Sequence, residues 1–413
     1  MMKLRNLIIL TLAIIYSFPS ISHAITAAQA IKEIQQIDPK AAIILGSGLH
    51  KNNLKLIELN TQRSYIPASV LKIPLVLSAH NILGKDFRFT TAFYKDRKNN
   101  LIIKGRGDPF LTSEEIRQIA VNLKMLGNNK FNGLVLDDSL FKDVTLHALG
   151  KSDNPYDAKF ASLLVNFNTI NIQKLTNQQI VSAEKQTPTL PLMDEIGASS
   201  NIKCCNKATR INLQGNDDYR RKYVVQLFYK LLSENGISFS SPATSAGSYK
   251  LAKIAKRSKP IYTHYNSRTM AQVSEQLLLY SNNLIAMGVL LQFAPDARKP
   301  VKSSLHRWQK DLNSIEGMSS AKPMTITEPS GLDRHNQVTA ENIYSILKSF
   351  ADYSPLLPYD ARNSAFYKTG TLTGIYNLAG YIRQGKHLRP FVILTENKSN
   401  ERINILNIIK RVD

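Results

Sequence analysis

Apolar residues change their spacing twice along this chain, and the changes divide it into three stretches. Residues 27–36 carry them at helical period. Residues 41–45 and 54–59 are short apolar runs joined through Gly46-Ser47-Gly48, which predicts a helix followed by a strand pair. Pro67-Ala68 then marks a turn, and Leu71, Ile73, Leu75, Val76, Leu77 and Ala79 follow at the density of a largely buried helix with Ser69 at its amino end. Pro74 is tolerated there because amide bonds lost near a helix start matter least. From about residue 87 to 262 short strand-like runs alternate with turns, at 90–94, 101–104, 133–137, 163–172 and 210–213, with one helix near 219–235. Helical density returns over 273–286, which reads as a core helix with a polar interruption at Ser281-Asn282-Asn283, and again near 301–314. The tail predicts strands through Lys368, over 375–382 and over 390–396, then a closing amphipathic helix with Ile405, Leu406 and Ile409 on one face.

This pattern predicts an α+β fold in which an antiparallel sheet flanked by helices is split by a largely β insertion. The expected boundaries are a leader at 1–24, a discontinuous main domain at 25–86 and 263–413, and an insertion at 87–262. In the leader, Lys3 and Arg5 precede an apolar stretch at 7–16, and Ser22-His23-Ala24 forms a small-x-small cleavage site. These are the parts of a secretory signal peptide removed after Ala24. Its apolar stretch is too short for a permanent span. The expectation is an exported protein, periplasmic in a bacterium with two membranes, with at most peripheral membrane contact.

Composition removes several functions. The only cysteines, Cys204 and Cys205, are neighbours, so an ordinary structural bridge within one chain is excluded; a strained vicinal ring, an intermolecular bond or two reduced thiols remain. The histidines are scattered singly without metal-ligand spacing, so neither a metal nor another cofactor is expected. The net charge of +22 becomes +20 once Lys3 and Arg5 are removed. The basic residues are spread over 95–104, 220–222 and 250–259 without a nucleic-acid module, so nucleic acid is not an expected partner. A basic surface suits an anionic envelope or a substrate rich in carboxylates. The pattern does not fix an oligomeric state.

Three short motifs carry the candidate chemistry. Ser69-Val70-Leu71-Lys72 places a hydroxyl and an amine three residues apart, on one face of the predicted helix. Ser-x-x-Lys also occurs at Ser139/Lys142, Ser182/Lys185, Ser200/Lys203, Ser319/Lys322 and Ser345/Lys348, so only the context of Ser69 singles it out. Ser281-Asn282-Asn283 adds a second hydroxyl and an amide; Ser152-Asp153-Asn154 is a decoy, set in a turn between Gly150 and Pro155. Lys368-Thr369-Gly370-Thr371 occurs once and leads into a strand-like run. In that order the motifs are similar to the signature of penicillin-recognising enzymes.

More of the chain resembles one group of these, the class C low-molecular-mass penicillin-binding proteins, which are D-alanyl-D-alanine carboxypeptidases and endopeptidases of the penicillin-binding protein 4 type. Residues 105–111, 137–141, 165–168 and 330–339 look like segments of that family in family order, and the long gap between Lys72 and Ser281 is similar to its inserted domains. The family usually has Asp-Gly where this chain has Glu328-Pro329. The resemblance implies cleavage of peptidoglycan stem peptides ending in D-Ala-D-Ala, or of their cross-links, through an acyl-enzyme that β-lactams also form. It implies Ser69 as nucleophile, Lys72 as its base with a pKa depressed by burial and by Lys368, and Ser281 as proton relay. Asn283, Lys368, Thr369, Gly370 and Thr371 are implied to bind substrate, with Gly370 leaving room for its backbone, and the amides of Ser69 and Thr371 to form the oxyanion hole. Two readings stand beside this one: a serine β-lactamase, and a catalytically silent envelope protein that binds peptidoglycan or penicillin.

Overall fold

The computed structural model describes residues 24–49, 54–141, 154, 157–199, 202, 207–213, 216–241, 248–255, 257–296 and 298–413. Most of the leader, the Cys204-Cys205 pair and Ser152-Asp153 lie outside the described residues.

A six-stranded antiparallel sheet organises the first and last parts of the chain, in the order Tyr359–Asp360, Ala365–Leu372, Ile375–Gln384, His387–Leu394, Ala42–Gly46, Lys55–Leu59. The strand Ala42–Gly46 is buried throughout, which explains its unbroken apolar run. Successive side chains of a strand point to opposite faces. Ile43 and Leu45 accordingly join Ile393, Leu378, Ile405 and Ile409 beneath the helices Ala27–Ile37 and Arg402–Lys410. Ala42 and Ile44 face the other way, into a larger core with Ile73, Val76, Leu277, Leu290 and Ile346. That core holds the helices Lys72–Leu83, Met270–Tyr280, Asn283–Leu291 and Ala340–Ser349, so the nucleophile helix is packed on the sheet by its apolar residues.

The segment between the first two motifs forms a five-stranded and a three-stranded sheet around a core of its own, which includes Phe93, Ile103, Ile170 and Phe228. Three helices pack with these strands, Ser113–Met125, Pro191–Ser199 and Asp217–Glu234, and the sequence pattern pointed only to the last. The first was legible in principle, since Ile116, Ile119, Ala120 and Leu123 recur at helical spacing and are buried. Phe110, Phe141 and Phe160 of this segment reach into the core of the nucleophile helix.

Two elements differ from expectation for local backbone reasons. The strand expected over 163–172 begins only at Thr169, because Asn166, Phe167 and Asn168 all take positive φ, at 45°, 59° and 55°. The helix expected over 273–286 is two helices: Met270–Tyr280 ends at Ser281, whose φ of 56° is left-handed, and Asn282 caps Asn283–Leu291 by accepting from the Ile285 amide at 3.0 Å. The polar interruption is thus a break that takes Ser281 out of the helix and sets Asn283 at the first position of the next one.

The sheet offers a direct test of its packing. A Cβ on Gly380 lies 2.0 Å from the Phe366 carbonyl oxygen of the neighbouring strand, which cannot give way without breaking the ladder. Gly380→Ala is expected to destabilise the fold by about 2 kcal/mol or more in urea denaturation. Gly48→Ala, with open space around the added carbon, is expected to leave the midpoint nearly unchanged.

Candidate active site

The turn before Ser69 is held in a costly conformation. Ala68 has φ of 46°, a region that β-carbon sterics make unfavourable by roughly 1 to 2 kcal/mol. The surroundings fix it. Asn377 Nδ2, fully buried on the adjacent strand, donates to the carbonyls of Ile66 at 2.8 Å and Pro67 at 3.0 Å, and its Oδ1 accepts from the Thr395 amide at 3.0 Å. Two glycines let neighbouring segments close on the turn. A Cβ on Gly331 meets the Ala68 carbonyl oxygen at 1.9 Å, and one on Gly370 meets the Pro67 carbonyl oxygen at 2.6 Å. The reading of Gly370 as room for substrate is therefore corrected: the space it leaves is taken by the turn that carries Ser69.

A short 3-10 turn, Ala68–Leu71, leads into the helix and brings Lys72 beneath Ser69. Lys72 is completely buried. Its Nζ lies 2.9 Å from Ser69 Oγ, 2.9 Å from Asn283 Oδ1 and 2.6 Å from the Ser330 carbonyl oxygen. Burial holds the amine far below an ordinary lysine and the charge of Lys368 pushes it the same way, against smaller opposing effects of Glu328 and Asp157. A neutral amine keeps two N–H bonds and one lone pair. The Asn283 and Ser330 oxygens can only accept, so they take the two N–H bonds, and the lone pair is left for the Ser69 hydroxyl.

Each of these acceptors is itself positioned. Asn283 Nδ2 donates to Asp157 Oδ1 at 3.4 Å, which orients the amide with its oxygen toward Lys72. Ser330 belongs to a loop gathered by the buried Glu328 carboxylate, which accepts from the amides of Ser330 at 2.7 Å and Gly331 at 2.6 Å and from Asn336 Nδ2 at 2.8 Å. The replacement of Asp-Gly by Glu328-Pro329 thus comes with a loop built on the longer acid. Arg334 joins that loop to the next hairpin by donating to the Thr373 carbonyl at 2.6 Å.

Lys368 lies on the strand Ala365–Leu372, beside Gly370 and the Ser69 turn, and is 3% exposed. Burial, and after it the charge of Arg402, push its amine down to about 8. Thr369 is half-buried and Thr371 exposed, with Thr371 Oγ1 accepting from Arg402 Nη1 at 2.7 Å. Outside this strand, Tyr359–Asp360 pairs only with Phe366 and Ala365, so no strand among the described residues covers the outer edge from Lys368 to Leu372. An open edge of this kind accepts an extended peptide. Ser281 is half-buried at its left-handed turn and makes no hydrogen bond to Ser69 or Lys72.

In the family-like segments 137–141 and 165–168 the polar side chains are engaged within the inserted segment. Asp137 is fully buried, and Asp138 receives Arg220 at 2.8 Å and Arg221 at 2.9 Å. Asn166 Oδ1 accepts from the Ser113 amide at 3.0 Å, and Asn168 Nδ2 donates to the Lys159 carbonyl at 3.0 Å. Sequence reasoning missed Asp157, Glu328, Asn377 and Arg402 as parts of the site. Only Glu328 gave a signal, as an acid where the family pattern departs.

The chain is 23% identical over 405 residues to the D-alanyl-D-alanine carboxypeptidase DacB of Haemophilus influenzae, covering 83% of this chain and 82% of that one. It is 20% identical over 389 residues to a D-alanyl-D-alanine carboxypeptidase of Actinomadura, covering 77% and 70%. Its fold matches the crystal structure of penicillin binding protein 4 from Haemophilus influenzae with a TM-score of 0.68 at 20% identity, over 92% of this chain and 98% of that one. The profile of one peptidase family matches residues 38–362, most of the chain. The chain belongs to the D-Ala-D-Ala carboxypeptidase 3 (S13) family.

Proposed function

We propose that this protein is a serine DD-peptidase of peptidoglycan that works through an acyl-enzyme on Ser69. The observation that carries the reading is the completely buried Lys72, with two acceptors for its N–H bonds and its third contact to the Ser69 hydroxyl. Ser69 Oγ attacks the carbonyl of the penultimate D-alanine while its proton passes to Lys72. The amides of Ser69 and Thr371 hold the oxyanion, each donor contributing about 3 to 4 kcal/mol. The C–N bond then breaks, and Ser281 relays the proton to the leaving amine. Water hydrolyses the ester and restores the serine.

The substrate lies along the open edge of the Lys368 strand, with Asn283 against its amide backbone and Lys368, Thr369 and Thr371 on the terminal carboxylate. Both a stem ending in D-Ala-D-Ala and a cross-link from D-Ala to the D-centre of diaminopimelate present a carboxylate next to the scissile bond, so the same site serves carboxypeptidase and endopeptidase action. β-Lactams, with an amide and a carboxylate in a similar arrangement, acylate the same serine; a Haemophilus influenzae relative of this fold has been crystallised with a β-lactam. The enzyme is exported, loses its leader after Ala24 and acts in the periplasm, where its positive charge suits an anionic wall.

Intact mass spectrometry after brief exposure to benzylpenicillin tests the nucleophile. An adduct of one drug mass is expected on the protein and none on Ser69→Ala, and the same pair is expected to differ in release of D-alanine from pentapeptide muropeptides. Rapid drug turnover without an adduct points instead to a β-lactamase, and neither adduct nor turnover to a silent binding protein. Lys72→Arg replaces the neutral amine by a group that stays protonated and so removes the base, and is expected to lower the acylation rate by about a hundredfold or more.

The two lysines also set the pH dependence. Lys72 acts neutral, so kcat/KM rises with pH through its depressed pKa. Lys368 binds the carboxylate as a cation, so kcat/KM falls as pH passes about 8. A bell-shaped profile is expected, and a rate that climbs steadily to pH 10 contradicts these roles.

A further inference from the structure

Arg402, the first residue of the closing helix Arg402–Lys410, is half-buried and has no counter-ion among the described residues. The groups that face it are Lys368 and the phenols of Tyr367 and Tyr376, and burial lowers its pKa. Lys368 in turn faces Lys72 from the nucleophile helix. Among the described residues the acids around these cations are Glu328 and Asp157 beside Lys72, and Asp360, which accepts from the Tyr367 phenol at 2.6 Å. A half-buried charge without a partner is unfavourable, and an arriving anion removes that cost.

The contact with Thr371 gives the charge a direction. A hydroxyl has one proton and two lone pairs, and a guanidinium can only donate. With Arg402 Nη1 at 2.7 Å from Thr371 Oγ1, one lone pair is occupied and the hydroxyl proton is turned away from the arginine. Thr371 is exposed on the open strand edge, so that proton is offered to whatever acceptor lies there.

We propose that Arg402 is a positioning residue for substrate specificity: it commits the Thr371 hydroxyl proton to the substrate's terminal carboxylate and supplies, with Lys368, the second positive charge that the carboxylate neutralises. The proposal rests on reading the chain as a DD-peptidase. It makes the enzyme select a free carboxylate at this position through a residue that lies outside the three motifs and 31 positions from the threonine it orients.

The test compares the mature protein with Arg402→Gln and Arg402→Lys on a tripeptide ending in D-Ala-D-Ala and on the same peptide as its C-terminal amide. Arg402→Gln is expected to raise KM for the acid roughly tenfold or more, as for loss of a charge-assisted contact, with kcat little changed and the amide almost unaffected. Its alkaline limb in kcat/KM is expected to move to higher pH, because Lys368 loses a cationic neighbour. Arg402→Lys is expected to restore the limb and only part of the KM. Equal losses on acid and amide, or reduced thermal stability with an unchanged ratio between the two peptides, overturn the proposal. If the unaltered protein releases neither D-alanine from the acid nor D-alaninamide from the amide, that counts against the functional reading; the comparison then passes to acylation by benzylpenicillin and its methyl ester. Slower acylation of Arg402→Gln by the acid alone supports the inference, equal rates overturn it, and no acylation of any protein overturns both.

Discussion

The structure depends on a lysine amine placed where water cannot reach it. Removing an ammonium from water is expensive, and a buried lysine responds by giving up its proton. Lys72 does this with its hydrogen-bonding capacity fully assigned: two carbonyl-type oxygens hold its N–H bonds and the remaining contact is the Ser69 hydroxyl. A serine is a poor nucleophile at neutral pH, and an adjacent base is what activates it. The same burial that makes Lys72 unfavourable as a cation makes it available as that base.

The surrounding fold keeps this geometry from relaxing. The Ser69 turn is clamped between the Ser330-Gly331 loop and the Lys368 strand, with Gly331 and Gly370 at the points of closest approach. Asn377 ties the turn to the sheet, and Glu328 ties together the loop whose carbonyl meets Lys72. The parts of the site come from four separated stretches of chain, anchored in the core that the nucleophile helix shares with the Asn283 helix or in the sheet. The inserted segment takes part as well, through Asp157 on Asn283.

Much of this was legible in the sequence. Ser69 and Lys72 share a helix face at a fixed local spacing, Lys368-Thr369-Gly370 is unique in the chain, and the apolar period located the helices and strands that carry both. What was not legible depends on distant partners. Nothing near Asn377 in the chain says that its amide will meet the carbonyls of residues 66 and 67, and nothing near Arg402 points to Thr371. Gly370 was misread because a glycine in a motif suggests space for a ligand, whereas here the space is filled by the protein's own backbone. The break at Ser281 was hidden by apolar residues on both sides, which keep a helical pattern across a left-handed turn. The helix Ser113–Met125 was overlooked for a different reason: its period was present, but it sits among strand-like runs.

The protonation state of Lys72 decides the account, and it can be observed directly. In protein labelled with 13C-lysine, the Cε resonance assigned to Lys72 by its loss in Lys72→Arg can be followed against pH. The account predicts a titration well below that of the exposed lysines in the same spectrum, with the resonance already in its neutral form where they are still charged. A Lys72 signal that titrates together with the exposed lysines contradicts it, because a cationic Lys72 has no lone pair with which to take the proton from Ser69.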